Sequence, residues 1–210
     1  MPNTDLLISF LLATAVFAYM PGPAMIYATA QTIGGGKRAG WMAALGIHVG
    51  GYVHVFAAAF GLALLFQAVP SIYVFLKLVG AAYLVWLGIG LFRAKVDTSE
   101  ASEVIKPKSA SKAFVASAMV EIFNPKTALF FLAFLPQFTD PTVAFRVWAQ
   151  LLILGTIVNV MFSSADVVCV LMSTKVMALM NRSQSANRLA HRFGGTLLVG
   201  LGINLAVSRQ

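Results

Sequence analysis

The chain has 210 residues, of which 59% are hydrophobic and 10% are charged, and its formal net charge is +8. Soluble globular domains carry roughly a quarter charged residues, so this composition indicates an integral membrane protein. Because a membrane-spanning helix takes about 20 apolar residues, the length allows about six spans and excludes a sizeable soluble domain. Excess lysine and arginine is typical of cytoplasmic loops, so the basic charge does not indicate a nucleic-acid partner.

Six apolar windows follow one another along the chain, separated by turn-rich or charged segments. They cover about residues 6–33, 41–66, 72–92, 113–135, 148–172 and 189–207. The N-terminal window has no preceding basic residue and continues past Pro23, so we interpret it as the first span rather than a cleavable signal peptide. We therefore predict an all-α integral membrane protein with six transmembrane helices in a single domain, residues 1–210.

The basic residues of the loops fall mainly on one side of these spans. If the N-terminus defines side one, that side carries two of them, Arg146 and Arg209. Side two carries eleven: Lys37, Arg38, Arg93, Lys95, Lys106, Lys108, Lys112, Lys175, Arg182, Arg188 and Arg192. Lysine and arginine concentrate in cytoplasmic loops, so we predict that both termini face the outside.

The two halves of the chain resemble each other. Residues 80–91 align without gaps to residues 194–205, with identity at seven of twelve positions. Glycine and leucine recur by composition in many spans, which is the alternative explanation. However, Pro21-Gly22-Pro23 in span one also corresponds to Asn124-Pro125-Lys126 in span four. We predict two inverted three-helix repeats, about 1–93 and 113–210, joined by the loop 94–112, an architecture typical of secondary transporters.

Both proline motifs predict broken helices. Proline lacks a backbone donor and clashes with the carbonyl four residues earlier, so helices 1 and 4 should be interrupted there. Backbone groups freed in lipid need partners from protein or from a water-filled cavity. A helix that begins just after Pro23 would direct its N-terminal amides at such a cavity, which suits a carboxylate. The alternative is a plain packing kink.

The second motif adds buried charge, because Lys126 lies within span four and Glu121 precedes it in the same span. A charge at the bilayer centre costs about 2.5 to 3.5 kcal/mol, so such residues are functional candidates. Lys126 either binds a substrate carboxylate or forms a structural pair with Glu121, and the sequence leaves both interpretations open.

Span five carries a polar stripe on one helical face, formed by Thr156, Asn159, Ser163 and Asp166. Asp166 could hold an ammonium group or accept a coupling proton. Hydrogen bonding between helices is the alternative role of the stripe, although an aspartate is a costly choice for it. In span two, His48 and His54 are six residues apart and point to different faces, which argues against a shared metal site. His54 is a further candidate for proton transfer.

Cys169 is the single cysteine, so intrachain disulfides are excluded and thiol-based redox or metal chemistry is not expected. The pattern contains no nucleophile and base pair and no metal cluster. We therefore predict that the protein is not an enzyme and uses neither a metal nor a cofactor.

Several motifs, in order along nearly the whole chain, resemble the LysE/RhtB family of amino-acid exporters. They are Met20-Pro21-Gly22-Pro23-Ala24, Gly36-Lys37-Arg38-Ala39-Gly40-Trp41 with Gly46, Lys77 to Tyr83 with Leu87-Gly88, Phe123-Asn124-Pro125-Lys126, Phe130-Phe131, Leu135-Pro136-Gln137-Phe138 and Arg192-Phe193-Gly194. The resemblance implies six spans in two related halves and export of an amino acid such as threonine, homoserine, lysine or leucine by proton antiport. It also implies a bacterial inner-membrane location and is compatible with a homodimer.

The resemblance also bears on the substrate, because exporters of basic amino acids in the broader family carry extra acidic residues within their spans. Spans one to three of this chain contain none beyond Asp5 at the edge, which argues against a dibasic substrate and favours a neutral one. The alternatives are a transporter of a small ion or other metabolite, or a membrane scaffold. The predicted substrate and translocation residues are Pro21, Gly22, Pro23, Asn124, Pro125, Lys126, Asn159 and Asp166. The predicted proton-coupling residues are Asp166, Glu121 and His54. The expected partners are an amino acid, protons and the lipid bilayer.

Overall fold

The computed structural model describes residues 4–62 and 110–173, with isolated positions between 64 and 92 and between 192 and 207. All regular structure in the continuously described ranges is helical, which confirms the predicted all-α class for this part of the chain. The predicted third and sixth spans, residues 94–109 of the predicted loop and the similar segments 80–91 and 194–205 lie outside these ranges, whereas residues 110–112, predicted as the end of that loop, are helical. The count of six helices and the inverted repeat therefore stay predictions.

The first two helices are separated at the first proline motif. Helix α1 covers Thr4–Tyr19, and α2 covers Pro23–Phe56. Within α2, Gly36 has φ 77° and ψ 174°, a conformation that is open essentially to glycine alone. Thr32 packs directly against Gly40, although residues eight apart in a straight helix are separated by about 12 Å. The chain thus turns back at Gly36, and we call the two arms α2a (23–35) and α2b (37–56).

A π-helical segment, Ala57–Leu62, continues α2b. In the second described range, α3 covers Ala110–Ile122 and α4 covers Pro125–Leu129. Helix α4 continues as a π-helix, Phe130–Phe134, and a 3₁₀ turn, Leu135–Phe138. Helix α5 covers Val147–Leu171.

Some of the described helices have the length and composition of membrane spans. Two helical stretches, Pro23–Leu62, which includes the turn at Gly36, and Val147–Leu171, are long and apolar enough to cross a bilayer. The bent pair Ser111–Ile122 and Pro125–Phe138 makes a third if it is one span. Along α2b, large apolar side chains at steps of four and three point outward: Leu45, Val49, Val53 and Phe56. Such a continuous exposed apolar stripe is the surface that a helix presents to lipid.

Small residues allow α2b to pack closely against two neighbours. The backbone of Gly46 lies against the carbonyl of Phe114, and a β-carbon at Gly50 would lie 2.7 Å from the carbonyl oxygen of Ala118. The later residue of α2b meets the later residue of α3 in these two contacts, so α2b and α3 run parallel. Gly51 packs directly against the side-chain oxygen of Asn159 on α5. These approaches are the close packing that small residues permit in membrane helices.

Helix α5 runs antiparallel to α2b, since His48 contacts Ser163 while Phe60 stacks on Trp148. Lys37, Arg38 and Lys112 therefore lie at one end of the helix bundle, which we call the Lys37 end. Arg146 lies at the opposite end, which we call the Arg146 end.

The loop 139–146 at the Arg146 end is held in place by hydrogen bonds to one buried side chain, that of Gln150. The Gln150 amide donates to the carbonyl oxygens of Asp140 and Phe145 at 2.8 and 2.6 Å, and its own oxygen accepts the Asp140 N–H at 2.9 Å. The Asp140 carboxylate accepts the N–H and the hydroxyl of Thr142, and these hydrogen bonds lower the pKa of Asp140. The loop is thus held against the start of α5.

Candidate functional site at the helix breaks

The first break separates α1 from α2a at Met20, Pro21 and Gly22. The first helical hydrogen bond of α2a runs from the Ile26 N–H to the Gly22 oxygen at 3.0 Å. Gly22, in an extended conformation, occupies the N-cap position and supplies no capping side chain. Because the first amides of a helix have no partner within it, the start of α2a presents N–H groups that no N-cap side chain satisfies.

The second break separates α3 from α4 and is closed by its own residues. The Asn124 side-chain oxygen caps α4 by accepting the Lys126 N–H at 3.1 Å, and its amide donates to the Glu121 carboxylate at 3.0 Å. The two halves of the span meet at an angle of 41°. At the end of α3, His54 Nε2 lies 2.9 Å from the Glu121 carbonyl oxygen. Since a carbonyl only accepts, His54 donates this hydrogen bond and caps α3.

Lys126 connects the second break to the first. Its ammonium donates to the carbonyl oxygens of Phe17 and Met20 at 3.0 and 2.6 Å, and it lies 4.6 Å from the centre of the Phe17 ring. A β-carbon at Gly22 would approach the Lys126 side chain to 3.0 Å. The predicted interruptions of helices 1 and 4 are therefore both present in the structure, and they touch each other.

A cavity of about 30 Å³ lies where the breaks meet. Its polar lining consists of Glu121, Asn124, Lys126, Thr127 and Asp166, and its apolar lining of Ala18, Gly22, Ala24, Met25, Ile47 and Phe162. A water molecule needs roughly 10–15 Å³ of such space, so the cavity has room for about two or three waters and is too small for an amino acid.

The cavity lies at mid-depth in the bundle. Ile47 lines it, and Gly50 packs against Glu121, while the midpoint of the segment 37–62 falls between Val49 and Gly50. Glu121 and Asp166 are each 3% exposed, and both are close enough to Lys126 to interact with it electrostatically. Two acids and one base thus surround a single small space in the middle of the membrane-spanning helices.

The structure separates the polar stripe of α5 into two parts. Asp166 lines the cavity, whereas the Asn159 amide donates to the His48 carbonyl oxygen at 3.1 Å and Ser163 lies 2.6 Å from His48 Nδ1. Thr156 donates to a carbonyl of its own helix. Three stripe residues therefore make contacts within and between helices, and Asn159 is not among the cavity residues.

The other predicted site residues fall into two groups. Gly22, Asn124, Lys126, Glu121 and Asp166 meet at the cavity. The three prolines, Pro21, Pro23 and Pro125, form the breaks and are not among the lining residues, and His54 contacts the backbone of Glu121 instead. Sequence reasoning did not find Phe162, Met25 and Ile47, because apolar residues of a span carry no signal that separates cavity lining from core.

Comparison with known proteins identifies the family. The sequence model of the LysE type translocators matches residues 15–209. The chain belongs to the LysE type translocator family. Translocators are transport proteins, which confirms that this chain is not an enzyme.

Proteins similar to this translocator match it over most of its length. An uncharacterized membrane protein of Pseudomonas aeruginosa is 29% identical over 95% of this chain and 94% of its own. A leucine efflux protein of Enterobacter sp. is 27% identical over 89% of this chain and 88% of its own. A leucine efflux protein of Salmonella typhimurium is 26% identical over 94% of this chain and 93% of its own. No solved structure matches this translocator.

Proposed function

We propose that this translocator exports a small neutral amino acid of the threonine, homoserine or leucine type from the cytoplasm in exchange for protons. Its family and its similarity to proteins named leucine efflux proteins support amino-acid export. The observation that carries the proposal is the meeting of Glu121, Lys126 and Asp166 around one cavity at mid-depth. A scaffold has no need to bury three ionisable groups, each of which is costly in a bilayer.

The charge balance of the cavity supports an exchange mechanism. With all three groups ionised, two carboxylates and one ammonium leave a net charge of −1 in a medium that disfavours any net charge. One proton removes that charge by neutralising a carboxylate, whereas a zwitterion adds no net charge and pairs its ammonium group with a carboxylate that is ionised. The proton and the substrate ammonium group therefore compete for the same carboxylates, which is the requirement for antiport: each is released when the other binds.

The zwitterion has a complementary place for each of its ends. The amides at the start of α2a, beside Ala24 and Met25, attract its carboxylate, because the N-terminus of a helix carries partial positive charge. Asp166 and Glu121 attract its ammonium group. Met25, Ile47 and Phe162 provide apolar surface for a neutral side chain. Because the cavity is smaller than the substrate, the helices around it must move during transport.

We further propose alternating access by two inverted three-helix repeats. In the described residues, Phe10 contacts Phe134 and Phe138 while Phe17 contacts Phe130, so spans one and four run in opposite directions. That relation is the one an inverted repeat requires. Asp166 and Glu121 are the proposed proton carriers. For His54 the donated bond to the Glu121 carbonyl favours a capping role over proton transfer.

The proposed location is the bacterial inner membrane, with the Lys37 end in the cytoplasm and both termini outside. The grouping of Lys37, Arg38 and Lys112 at one end of the bundle, with Arg146 at the other, supports this orientation through the positive-inside rule. A homodimer is compatible with the proposal, and no cofactor or metal takes part in it.

A growth-inhibition panel tests the function. Cells with and without the translocator are exposed to amino acids, amino-acid analogues and dipeptides, with inorganic salts in parallel. We expect expression to raise tolerance of one or a few neutral amino acids or their dipeptides, with matching efflux of the labelled compound. Protection against an inorganic ion alone would favour the small-ion alternative. Absence of any protection and of any efflux would contradict transport of an amino acid.

A further inference from the structure

The ammonium group of Lys126 closes the C-terminal end of α1. The last carbonyl groups of a helix have no partner within it, and they carry the negative end of the helix dipole. In α1 and its break, the Phe17 and Met20 oxygens accept hydrogen bonds from Lys126. The Phe17 oxygen also accepts the Met20 N–H at 3.3 Å, whereas the Met20 oxygen lies just beyond α1 and accepts the shorter of the two Lys126 hydrogen bonds. Because unpaired carbonyl groups are costly in lipid, this cation helps to hold the end of α1 in place.

Helix α1 forms the wall between the cavity and the Arg146 end. Ala18 lines the cavity, and Phe17 packs against Phe130 and Phe162. Nearer the Arg146 end, Phe10 packs against Phe134 and Phe138. These four contacts are ring against ring, and two of them come from the segment Phe130–Phe134, which is π-helical. Short π-helical segments occur frequently at functional sites.

We propose that Lys126 is a latch: it holds α1 across the Arg146 side of the cavity, and the substrate carboxylate releases α1 by taking over the ammonium group. A carboxylate binds an ammonium group more strongly than a neutral carbonyl does. The substrate carboxylate and the α1 carbonyls would therefore compete for the three N–H donors of the Lys126 ammonium. Arrival of the substrate thus removes the cap from α1. Release by the substrate rests on the proposed function, whereas the closing role of Lys126 does not.

This role differs from simple substrate binding. In the structure the ammonium of Lys126 already has two carbonyl partners, so it is a positioning residue for α1 before any substrate arrives. Substrate binding and opening toward the Arg146 end then become one step, because the Lys126 ammonium binds either the α1 carbonyls or the substrate carboxylate.

Thr14 offers a site for testing the latch. It lies on α1, is 0% exposed, and its hydroxyl has no hydrogen-bond partner among the described residues. Thr14→Cys is a change of similar size, and Cys169→Ser removes the native thiol. In the protein that carries both changes, the rate at which a maleimide labels Cys at position 14 measures how often α1 moves away from its neighbours and exposes that position. Ala113→Cys on α3, also 0% exposed, is the matched control for general loosening.

The three variants of Lys126 separate its donors from its charge. Lys126→Met has neither, Lys126→Gln retains a neutral donor, and Lys126→Arg retains both. In membrane vesicles we expect labelling at position 14 to be at least tenfold faster in Lys126→Met than in the parent. Lys126→Gln and Lys126→Arg should stay within about threefold of the parent, and labelling at position 113 should not change.

Release by the substrate is tested by repeating the labelling with L-leucine, or with leucinamide, which lacks the carboxylate. We expect leucine to accelerate labelling at position 14 in the parent, leucinamide to have no effect, and Lys126→Gln to respond to neither. If Lys126→Met labels as slowly as the parent, or equally faster at positions 14 and 113, the latch is wrong. If leucine is exported but leaves labelling unchanged, release by the carboxylate is wrong while the proposed function stands. If no amino acid is exported, the proposed function fails and the Lys126→Met result still decides the closing role.

Discussion

Replacing Asp166 by asparagine should abolish coupled export while preserving the fold. The amide has nearly the same shape but removes the charge that balances a cation in the cavity. The cluster then retains one carboxylate, that of Glu121, which the Lys126 ammonium balances, so no unpaired carboxylate remains to hold a substrate ammonium group or to exchange a proton. A charge left unbalanced at the bilayer centre costs about 2.5 to 3.5 kcal/mol, which corresponds to roughly 60- to 300-fold weaker substrate binding.

The assay is efflux of the labelled amino acid identified by the growth panel, measured in vesicles with an imposed pH gradient. Asp140→Asn is the matched control, because it makes the same chemical change in a loop that lies away from the cavity. We expect Asp140→Asn to export normally and Asp166→Asn to lose both export and its dependence on the gradient. Equal rates and equal pH dependence in the two variants would refute the charge-balance mechanism.

Three predictions concern the scaffold and are measured by thermal unfolding in detergent or by proteolysis. Gly50→Ala should destabilise the protein by about 1–3 kcal/mol, because its β-carbon would meet a backbone oxygen of α3. The control is Gly61→Ala, whose β-carbon has open space, so its effect on stability should stay within about 0.5 kcal/mol. Gly36→Ala should lower the free energy of unfolding by about 1–3 kcal/mol because of the positive φ alone, since no atom crowds that position. The control is Gly35→Ala in the adjacent helical position, which should be neutral or stabilising. Equal effects of the two variants would contradict the turn at Gly36. Gln150→Ala should leave three loop backbone groups unpaired and accelerate cleavage between residues 139 and 146; unchanged cleavage would show that the loop is held by other contacts.

The positions of the helix breaks could be predicted from the sequence, because the cause is local. Pro21, Pro23 and Pro125 lack the backbone donor that a continuous helix needs, whatever surrounds them. The turn between the first two spans was expected within residues 34–40, and the structure assigns it to Gly36. Three consecutive glycines share the required freedom, so sequence alone does not select among them.

The partners of the polar residues could not be predicted, because they belong to distant segments. Lys126 bonds to carbonyls of Phe17 and Met20, more than one hundred residues away, and backbone acceptors leave no trace in the side-chain pattern. The sequence pattern predicts both Asn159 and Asp166, on one face of α5, as substrate residues. Asn159 instead meets α2b where Gly51 allows close approach, and only Asp166 reaches the cavity. Which stripe residue meets a helix and which meets a cavity depends on the neighbours.

The two breaks resemble each other in sequence but differ in how their ends are satisfied, and that difference gives the cavity its polarity. At the second break, Asn124 caps α4 and His54 caps α3, so both new helix ends are closed by side chains. At the first break, Gly22 supplies no cap, and the end of α1 depends on Lys126. The open positive end therefore belongs to α2a, whereas the carboxylates lie on α3 and α5. A zwitterion between them is drawn into one orientation, with its carboxylate toward span one, and this same orientation brings the carboxylate beside the cation that holds α1.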